Sequence, residues 1–389
     1  MKLILIRVSA TLRNTYYYII GFIAGLFTKP SKKYIMFSSF SGDKFNDSPK
    51  AIFDYLVNED YILVYSFKNK IDIENFNKEY PQHIAVKYNS FKHYFYLKKA
   101  KTWIFNFKTP PYFIKDKDTT FIQTWHGIPL KRLGCDIINE NQRFYRSKQT
   151  YQQMVQSYID EGKKADYFIG VSPYCKDKLK SAFKLNDNQF IDIGYPRNYK
   201  LYQDNNIELI KQELGIEQSK KVILYAPTWR DDAMNLHGFT SDFILDLDNL
   251  VKELGEDYIV LYRPHYLIKN DINFNNKNII NVAAYQDLTA LFLISDLLIT
   301  DYSSLYFDYA IMQRPIYFYM PDLSNYKDNL RGFYINIDSD LPNDYYIEDN
   351  ELISAIKNNI INEDKWNNFL KNNENFKLDM KVIKDIVNK

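Results

Sequence analysis

The chain has 389 residues, of which 46% are hydrophobic and 25% charged. This length is sufficient for two folded domains, and this composition is not typical of a disordered protein. Its net charge of +2 conceals an asymmetry, because residues 1–200 hold 32 basic and 18 acidic side chains and the remainder hold 18 and 30. The basic half predicts contact with an anionic surface, either a membrane or a phosphate-rich polymer. Nucleic acid is not expected as a partner, because no recognition motif accompanies the charge.

Residues 1–33 are basic and rich in apolar side chains. Six basic residues and no acidic residue precede Asp43, and an apolar run occupies residues 16–27. Twelve such residues are too few to span a bilayer as a helix. No small-residue cleavage site follows, so a signal peptide is not expected. We predict a helix that lies on the membrane surface, with basic side chains toward anionic headgroups; a buried core helix is the alternative.

Short apolar runs alternate with helix-length segments in the rest of the chain, which is typical of parallel α/β units. Strands are predicted at 34–38, 61–67, 102–105, 119–124, 166–171, 190–193, 221–225, 258–262, 279–282, 297–300 and 315–319. Helices are predicted at 48–57, 242–254 and 287–294, and the polar stretch 198–206 is the best candidate for a linker. We therefore predict Rossmann-like domains at 34–200 and 201–389, with the site in the cleft between them, beyond the carboxyl ends of the strands.

In the first predicted domain, a histidine follows an apolar strand. His126 comes directly after the run 119–125, and Gly127 and Pro129 predict a tight turn behind it. Its imidazole can exchange a proton near neutral pH. A structural histidine and a functional one remain equally open from these residues alone.

In the second predicted domain, two strands end in residues suited to phosphate. Arg230 ends the segment 225–230, and Arg263 and His265 follow the strand at 258–262. Arginine binds phosphate through two parallel hydrogen bonds, and histidine can donate to phosphate or exchange a proton. The alternative for each arginine is an ordinary surface ion pair.

A third strand end carries two hydroxyl groups. Ser303 and Ser304 follow the strand at 297–300 and precede a predicted helix that runs to residue 310. Hydroxyls beside the free N–H groups of a helix start predict a site for a diphosphate. Asp308 lies one turn deeper, where its carboxylate could accept hydrogen bonds from ribose hydroxyls. Ordinary N-capping without a ligand is the alternative.

Metal and cofactor motifs are absent from the sequence. The chain contains no HExxH, paired CxxC, EF-hand or GxxxxGK[ST] pattern, so we expect neither a metal nor a cofactor. Cys135 and Cys175 lack metal-like spacing and predict reduced thiols.

Six segments occur in the order and spacing of a known family. They are TWHGIPL at 124–130, GYPRN at 194–198, YAPTWR at 225–230, RPH at 263–265, TDYSSLYFD at 300–308 and RGFY at 331–334. On these residues the chain resembles the CDP-glycerol glycerophosphotransferase family, which includes teichoic acid primases and polymerases. The resemblance extends from about residue 34 to the C-terminus.

The resemblance implies a GT-B fold, in which two Rossmann-like domains face each other across a cleft and the second binds the donor nucleotide. It implies transfer of glycerol phosphate or ribitol phosphate from CDP-glycerol or CDP-ribitol to a polyprenyl-diphosphate-linked acceptor, with release of CMP. Such an enzyme would be peripheral, at the cytoplasmic face of the membrane. The chain length favours a primase or short-chain extender over a long-chain polymerase.

The resemblance also assigns roles to individual residues. Ser303, Ser304 and Asp308 match positions that bind the donor's diphosphate and ribose. Arg230 matches a phosphate-contacting position, and His126 and His265 match two histidines tied to catalysis. Together with Arg263, these residues form the predicted site.

Two other function classes suit the same fold. One is a GT-B glycosyltransferase that uses a nucleotide-sugar for capsule or surface polysaccharide, and the other is a non-catalytic membrane adaptor. Only the motifs separate the first from a phosphotransferase. The presence of both histidines and both arginines argues against the second.

Overall fold

The computed structural model describes residues 2–138, 150–203, 205–228, 245–264, 274–323 and 332–389, with side chains of the first helix described from residue 11. These residues form two compact units. Unit 1 comprises Met1–His126, Leu133–Tyr199 and Asn375–Lys389, and unit 2 comprises Gly127–Arg132 and Lys200–Glu374. Each unit contains a parallel β-sheet with helices, so the chain has an α/β fold with two Rossmann-like units.

The described strands of unit 1 form a seven-stranded parallel sheet in the order β3-β2-β1-β4-β5-β6-β7. They are β1 (Ser31–Ser38), β2 (Ile62–Phe67), β3 (Ile84–Lys87), β4 (Ala100–Phe105), β5 (Thr120–Gln123), β6 (Tyr167–Ile169) and β7 (Phe190–Ile191). The strand order reverses between β1 and β4. In open α/β sheets, ligands bind beyond the carboxyl ends of the strands at such a switch point.

The helices of unit 1 begin where the sequence supplies capping side chains. In chain order they are α1 (Lys2–Leu26), α2 (Asp47–Leu56), α3 (Lys70–Glu79), α4 (Phe91–Lys99), α5 (Tyr151–Lys164) and α6 (Pro173–Phe183). The Thr150 hydroxyl accepts from the N–H of Gln153 and the Gln153 side chain reciprocates, which is a capping box. Ser172 caps α6, whose first residue is Pro173, a residue favoured at that position.

The described strands of unit 2 form a six-stranded parallel sheet in the order β10-β9-β8-β11-β12-β13, with a switch point between β8 and β11. They are β8 (Lys221–Ala226), β9 (Tyr258–Tyr262), β10 (Ile279–Asn281), β11 (Leu297–Thr300), β12 (Ile316–Tyr319) and β13 (Tyr345–Tyr346). The helices are α7 (Ile207–Glu213), α8 (Leu247–Leu254), α9 (Leu288–Ile294), α10 (Leu305–Tyr309), α11 (Ile337–Asp340), α12 (Asp349–Lys357) and α13 (Glu363–Asn372). Leu250, Ile299 and Leu352 are fully buried in its core.

The strand predictions agree with the structure at all eleven sites, within three residues at each end. Two strands are missing from the prediction. β3 is a four-residue strand between polar segments, and β13 has only two residues, so neither gives a clear apolar pattern. The predicted helices at 48–57 and 287–294 correspond to α2 and α9, and the prediction at 242–254 is described only from residue 245.

Two segments lie in a different unit from the one predicted. Residues 375–389, predicted in the second domain, belong to unit 1, because the final helix α14 (Met380–Asn388) buries Met380 and Ile383 there and pairs Lys384 with Glu59. Residues 127–132, predicted in the first domain, belong to unit 2. Both assignments depend on contacts between distant parts of the chain, and local sequence patterns do not predict such contacts.

Helix α1 packs against α4 with one face only. Ala24 is buried, and an ideal Cβ on Gly21 would lie 3.5 Å from Cδ1 of Tyr94, so a small residue allows close approach. Tyr17 stacks on Tyr94, with ring centroids 5.8 Å apart. Within the part of the chain that the structure describes, no helix is long and apolar enough to cross a membrane.

Candidate functional site

His126 lies beyond the carboxyl end of β5, and its ring has a defined orientation. The Nδ1 atom is 2.6 Å from the carbonyl oxygen of Asn106, the residue that follows β4. A carbonyl oxygen only accepts, so Nδ1 carries a proton and Nε2 of the neutral ring holds the lone pair. The ring centroid lies 4.2 Å from that of Trp125 and 5.8 Å from that of Phe40.

The surroundings of His126 favour its neutral form. Desolvation by the packed protein lowers the pKa of His126, although part of the side chain remains exposed. The hydrogen bond to Asn106 and the carboxylate of Asp47 act in the opposite direction, and Arg197 lowers the pKa further. A neutral imidazole with its lone pair on Nε2 can accept a proton from a hydroxyl group.

An ion pair between Asp47 and Arg197 belongs to the same end of the unit 1 sheet. The Nη1 atom of Arg197 donates to Oδ2 of Asp47 at 3.0 Å, and the guanidinium lies 4.3 Å above the centroid of the Tyr195 ring. Neither charged residue is among the sequence-predicted site residues. Arg197 lies in the 194–198 motif, which is the signal that points to it, whereas Asp47 carries no motif and is found only from the fold.

The segment that follows His126 packs within unit 2. An ideal Cβ on Gly127 would lie 3.2 Å from Oγ of Ser304, so the segment approaches this serine closely. The N–H of Arg132 donates to the carbonyl of Gly332 at 3.0 Å, and that of Tyr334 donates to Leu130 at 2.9 Å. Within unit 2, the structure therefore brings residues 127–130 close to Ser304 of the 300–308 motif and to the described residues of the late motif.

A buried carboxylate holds the loop that follows β8. Asp301, 3% exposed, accepts from the N–H of Thr228 at 2.9 and 3.1 Å and from its hydroxyl at 2.8 Å. The two residues follow β8 and β11, the strands that flank the switch point of unit 2. Asp301 thus acts as a clamp between two strand-end loops.

The hydroxyls of Ser303 and Ser304 lie at the start of α10, as predicted. Ser303 Oγ accepts a long hydrogen bond of 3.4 Å from the N–H of Leu305. Within the described residues, Ser304 makes no side-chain capping bond to this helix, so capping does not account for its hydroxyl. Asp308 lies on the same helix and is 5% exposed. The pKa of Tyr202 is raised mainly by burial and, to a smaller extent, by the charge of Asp308.

Arg263 is largely occupied by backbone contacts. Its Nη1 atom donates to the carbonyl oxygens of Val282 and Tyr285 at 3.0 and 2.6 Å. Burial lowers the pKa of Arg263, and the nearby Asp287 raises it. These bonds fix the turn before α9, and a phosphate-binding role for the rest of the guanidinium stays a prediction.

Three sequence-predicted features lie outside the described residues, wholly or in part. They are Arg230, His265 and the first residue of the motif at 331–334. Among the residues that the structure does describe, no group of three or more His, Cys, Asp or Glu side chains could hold a metal ion. Neither Cys135 nor Cys175 forms a disulfide bond within the described residues.

Comparison with known proteins adds a family match to this geometry. The model of CDP-Glycerol:Poly(glycerophosphate) glycerophosphotransferase matches residues 22–379. The chain is 38% identical over 352 residues to a teichoic acid poly(glycerol phosphate) polymerase of Bacillus spizizenii, covering 87% of this chain and 86% of that protein. It is 37% identical to a teichoic acid glycerol-phosphate transferase of Staphylococcus aureus, covering 84% of each protein.

A solved structure extends the similarity to the fold. A variant of the wall teichoic acid polymerase TagF, soaked with CDPG, superposes with a TM-score of 0.83 at 34% sequence identity. The match covers 99% of this chain and 97% of that one. At this identity and coverage, the agreement extends across both parallel sheets.

Proposed function

The chain belongs to the CDP-glycerol:poly(glycerophosphate) glycerophosphotransferase family, and we propose that it transfers a polyol phosphate from a CDP-polyol to a lipid-linked acceptor, releasing CMP. It is a glycerophosphotransferase of the kind that acts in teichoic acid synthesis. Glycerol phosphate is the better supported polyol, because it is named in the relatives from Bacillus spizizenii and Staphylococcus aureus. Ribitol phosphate is the alternative.

We propose direct, in-line transfer. The terminal hydroxyl of the acceptor attacks the phosphorus that bears the polyol, forming a new P–O bond, and the bond to CMP breaks. His126 takes the hydroxyl proton on Nε2, the nitrogen left with a lone pair by the Nδ1 bond to Asn106. Charge on the phosphate oxygens is balanced by positioned donors in unit 2.

The donor site in this proposal combines four described residues with two outside the described residues. Ser303 and Ser304 donate to the diphosphate and Asp308 accepts from the ribose. Arg263 contributes its remaining guanidinium donors. Arg230 and His265 complete the set of groups that neutralise phosphate charge.

The observation that carries the proposal is the close approach of Gly127 and Ser304. An ideal Cβ on Gly127 would lie 3.2 Å from the Ser304 hydroxyl, and Gly127 is the residue after His126 in the chain. Within unit 2, the segment that begins directly after the proposed base therefore lies beside the proposed diphosphate-binding hydroxyl. In-line transfer requires the attacking and leaving groups to be held near one phosphorus atom.

The length of the chain does not distinguish a primase from a polymerase. The Bacillus spizizenii relative is named a polymerase, and the match spans 86% of it. We therefore withdraw the length-based preference for a primase and propose only the transfer reaction itself.

We also propose that α1 attaches the enzyme to the cytoplasmic surface of an anionic membrane. The face of α1 opposite α4 exposes large apolar side chains, with Leu12 66% and Leu26 68% exposed. The basic residues beside it, including Lys29 and Lys33, are exposed as well. An apolar face bordered by basic side chains is typical of helices that lie in the membrane interface.

The test is a donor comparison in the presence of a lipid acceptor that ends in glycerol phosphate. The purified protein is incubated with CDP-glycerol, CDP-ribitol, UDP-glucose or UDP-N-acetylglucosamine, and nucleotide release is measured. We expect CMP from CDP-glycerol, dependent on the acceptor. Release of UDP or UMP from a sugar nucleotide, with no CMP from either CDP-polyol, would identify a glycosyltransferase and refute the proposal.

A further inference from the structure

A carboxylate is buried in unit 1 and accepts a hydrogen bond from Gln123, three residues before the proposed base. Glu161 lies on α5 and is 1% exposed. Its Oε2 atom accepts from the N–H of Thr109 at 2.9 Å and from the Thr109 hydroxyl at 2.5 Å. Its Oε1 atom accepts from Nε2 of Gln123 at 2.7 Å. Burial raises the pKa of Glu161, and the nearby Lys164 lowers it.

Gln123 connects Glu161 to the backbone of the following turn through its side-chain amide. Its Nε2 atom donates to Glu161 and also to the carbonyl of Phe107 at 2.9 Å. With both N–H groups directed at acceptors, the amide can adopt only one orientation. Its oxygen then faces the N–H of Trp125, from which it accepts at 3.0 Å.

Trp125 has a backbone conformation that must be held in place. Its φ of +54° lies in the left-handed region, which costs a residue with a side chain roughly 1–2 kcal/mol. The hydrogen bond from Gln123 stabilises this conformation at its N–H. Packing fixes the indole, because its ring centroid lies 4.9 Å from that of Phe183, edge to face. The direction of the next residue, His126, follows from this turn.

We propose that Glu161 and Gln123 are positioning residues that orient the His126 ring through the backbone of Trp125. This inference rests on the proposed role of His126 as the base. Burying a carboxyl group is costly, and an apolar pair of similar volume would often be equally stable. A role in orienting the turn would explain why a carboxylate lies here. Glu161 fixes the amide of Gln123, and that amide fixes the backbone of Trp125. The fixed backbone places His126 so that its Nδ1 atom can bind the carbonyl of Asn106.

Glu161→Gln tests this relay with almost no change of shape. A glutamine at this position cannot accept from Thr109 and from Gln123 at the same time. If the NH₂ group of the new glutamine faces Gln123, the Gln123 amide must rotate, and Gln123 then turns an N–H toward the N–H of Trp125. If the new NH₂ group faces Thr109, the buried N–H of Thr109 loses its acceptor. Gln123→Leu removes the acceptor for Trp125 directly and serves as the second variant.

The matched control lies on the same helix, four residues earlier. Ser157 is half-buried and accepts from Nζ of Lys108 at 2.6 Å, without contact to Gln123. Ser157→Ala therefore removes a hydrogen bond from α5 but leaves the relay intact. Thermal unfolding of all three variants measures any general loss of stability.

The experiment combines kinetics with ¹⁵N-histidine NMR of the full chain. Turnover is measured with CDP-glycerol and the glycerol-phosphate-ended acceptor. We expect Glu161→Gln and Gln123→Leu to lower kcat by roughly tenfold to a hundredfold, with the KM for CDP-glycerol unchanged. The neutral His126 ring, protonated on Nδ1 in the parent, should become a mixture of tautomers in both variants. Ser157→Ala should alter neither quantity.

Two results overturn the inference. One is an unchanged His126 tautomer in both relay variants. The other is a fall in kcat that Ser157→Ala matches at equal loss of stability. A changed tautomer with unchanged kcat would support the positioning relay and refute the role of His126 as base, so failure of the relay and failure of the proposed function are distinguishable. Should Glu161→Gln not fold, Gln123→Leu gives the same decision.

Discussion

The two units present different polar groups after strands that lie near their switch points. In unit 1 the loop after β5 presents one imidazole, and the residue before it is tied to a buried hydrogen-bond relay. In unit 2 the loop after β11 presents two adjacent hydroxyls, and Asp301 holds the neighbouring loop from beneath. A base must point in one direction, whereas a diphosphate needs several donors. We propose that proton transfer belongs to unit 1 and donor binding to unit 2.

The largest expected effect comes from removing the proposed base in unit 1. His126→Ala should lower kcat by about 10²–10⁴-fold, the usual contribution of a positioned general base. Steady-state CMP release from CDP-glycerol measures this. Near-normal turnover of this variant would mean that unit 1 contributes no base, and would refute the proposed difference between the two units.

The pH dependence of the parent enzyme follows from the same residue. Desolvation lowers the pKa of His126 below its ordinary value of 6.5, so the neutral, reactive ring predominates at neutral pH. Activity should therefore fall only as the pH drops below about 6.5. In the His126→Ala variant this acidic limb of the pH–rate profile should disappear from the residual activity.

A smaller effect is expected from one hydroxyl in unit 2. Ser304→Ala should weaken the binding of CDP-glycerol by about 1.5–3 kcal/mol, because a hydrogen bond to a charged phosphate is lost. Ser339→Ala, on an exposed part of the same unit, is the control. Isothermal titration with CDP-glycerol compares the three proteins, and equal affinities would remove Ser304 from the donor site.

A further prediction concerns the stability of unit 1 in acid. His93 is fully buried beside Tyr88 and Phe113, and within the described residues neither ring nitrogen has a hydrogen-bond partner. Burial lowers the pKa of His93 from 6.5 to about 3. The unfolded chain therefore binds this proton more readily, and stability should be lost as the pH falls from 6.5 toward 3.

His93→Leu separates this effect from the rest of the protein. Between pH 7 and pH 5 the parent should lose about 2 kcal/mol of unfolding free energy through this residue, and the variant should not. Urea unfolding at the two pH values measures the difference. An equal loss in parent and variant would show that His93 does not titrate in this way.

The smallest effect is expected at the membrane. Lys29→Gln, next to the apolar face of α1, should weaken binding to vesicles containing anionic phosphatidylglycerol by roughly 1 kcal/mol. Lys371→Gln, on α13 of unit 2, is the matched control. Co-sedimentation at low salt compares them, and equal binding of all three proteins would contradict the proposed surface attachment.

Much of this architecture could be predicted from the sequence because the functional motifs directly follow apolar strands. The runs ending before His126, Arg263 and Ser303 identify the carboxyl edge of each sheet without any knowledge of packing. Their alternation with helical segments fixes the parallel topology. The strand order then follows from connectivity rules that leave few alternatives.

The remaining features depend on contacts between distant residues. Glu161 and Gln123 are 38 positions apart, and nothing in their local sequence marks them as partners. Asp47 is found only when α2 and the segment after β7 meet. The C-terminal helix packs beside α2 in unit 1, although more than 300 residues of chain separate the two helices, and no periodic pattern predicts this contact.

Paired titrations of CDP-glycerol test whether the donor binds through Ser304 of unit 2 and without His126 of unit 1. His126→Ala and Ser304→Ala are each titrated in parallel with the parent protein, without acceptor. We expect His126→Ala to bind CDP-glycerol as tightly as the parent and Ser304→Ala to bind it about 10-fold or more weakly. Weakened binding in His126→Ala together with unchanged binding in Ser304→Ala would contradict this expectation.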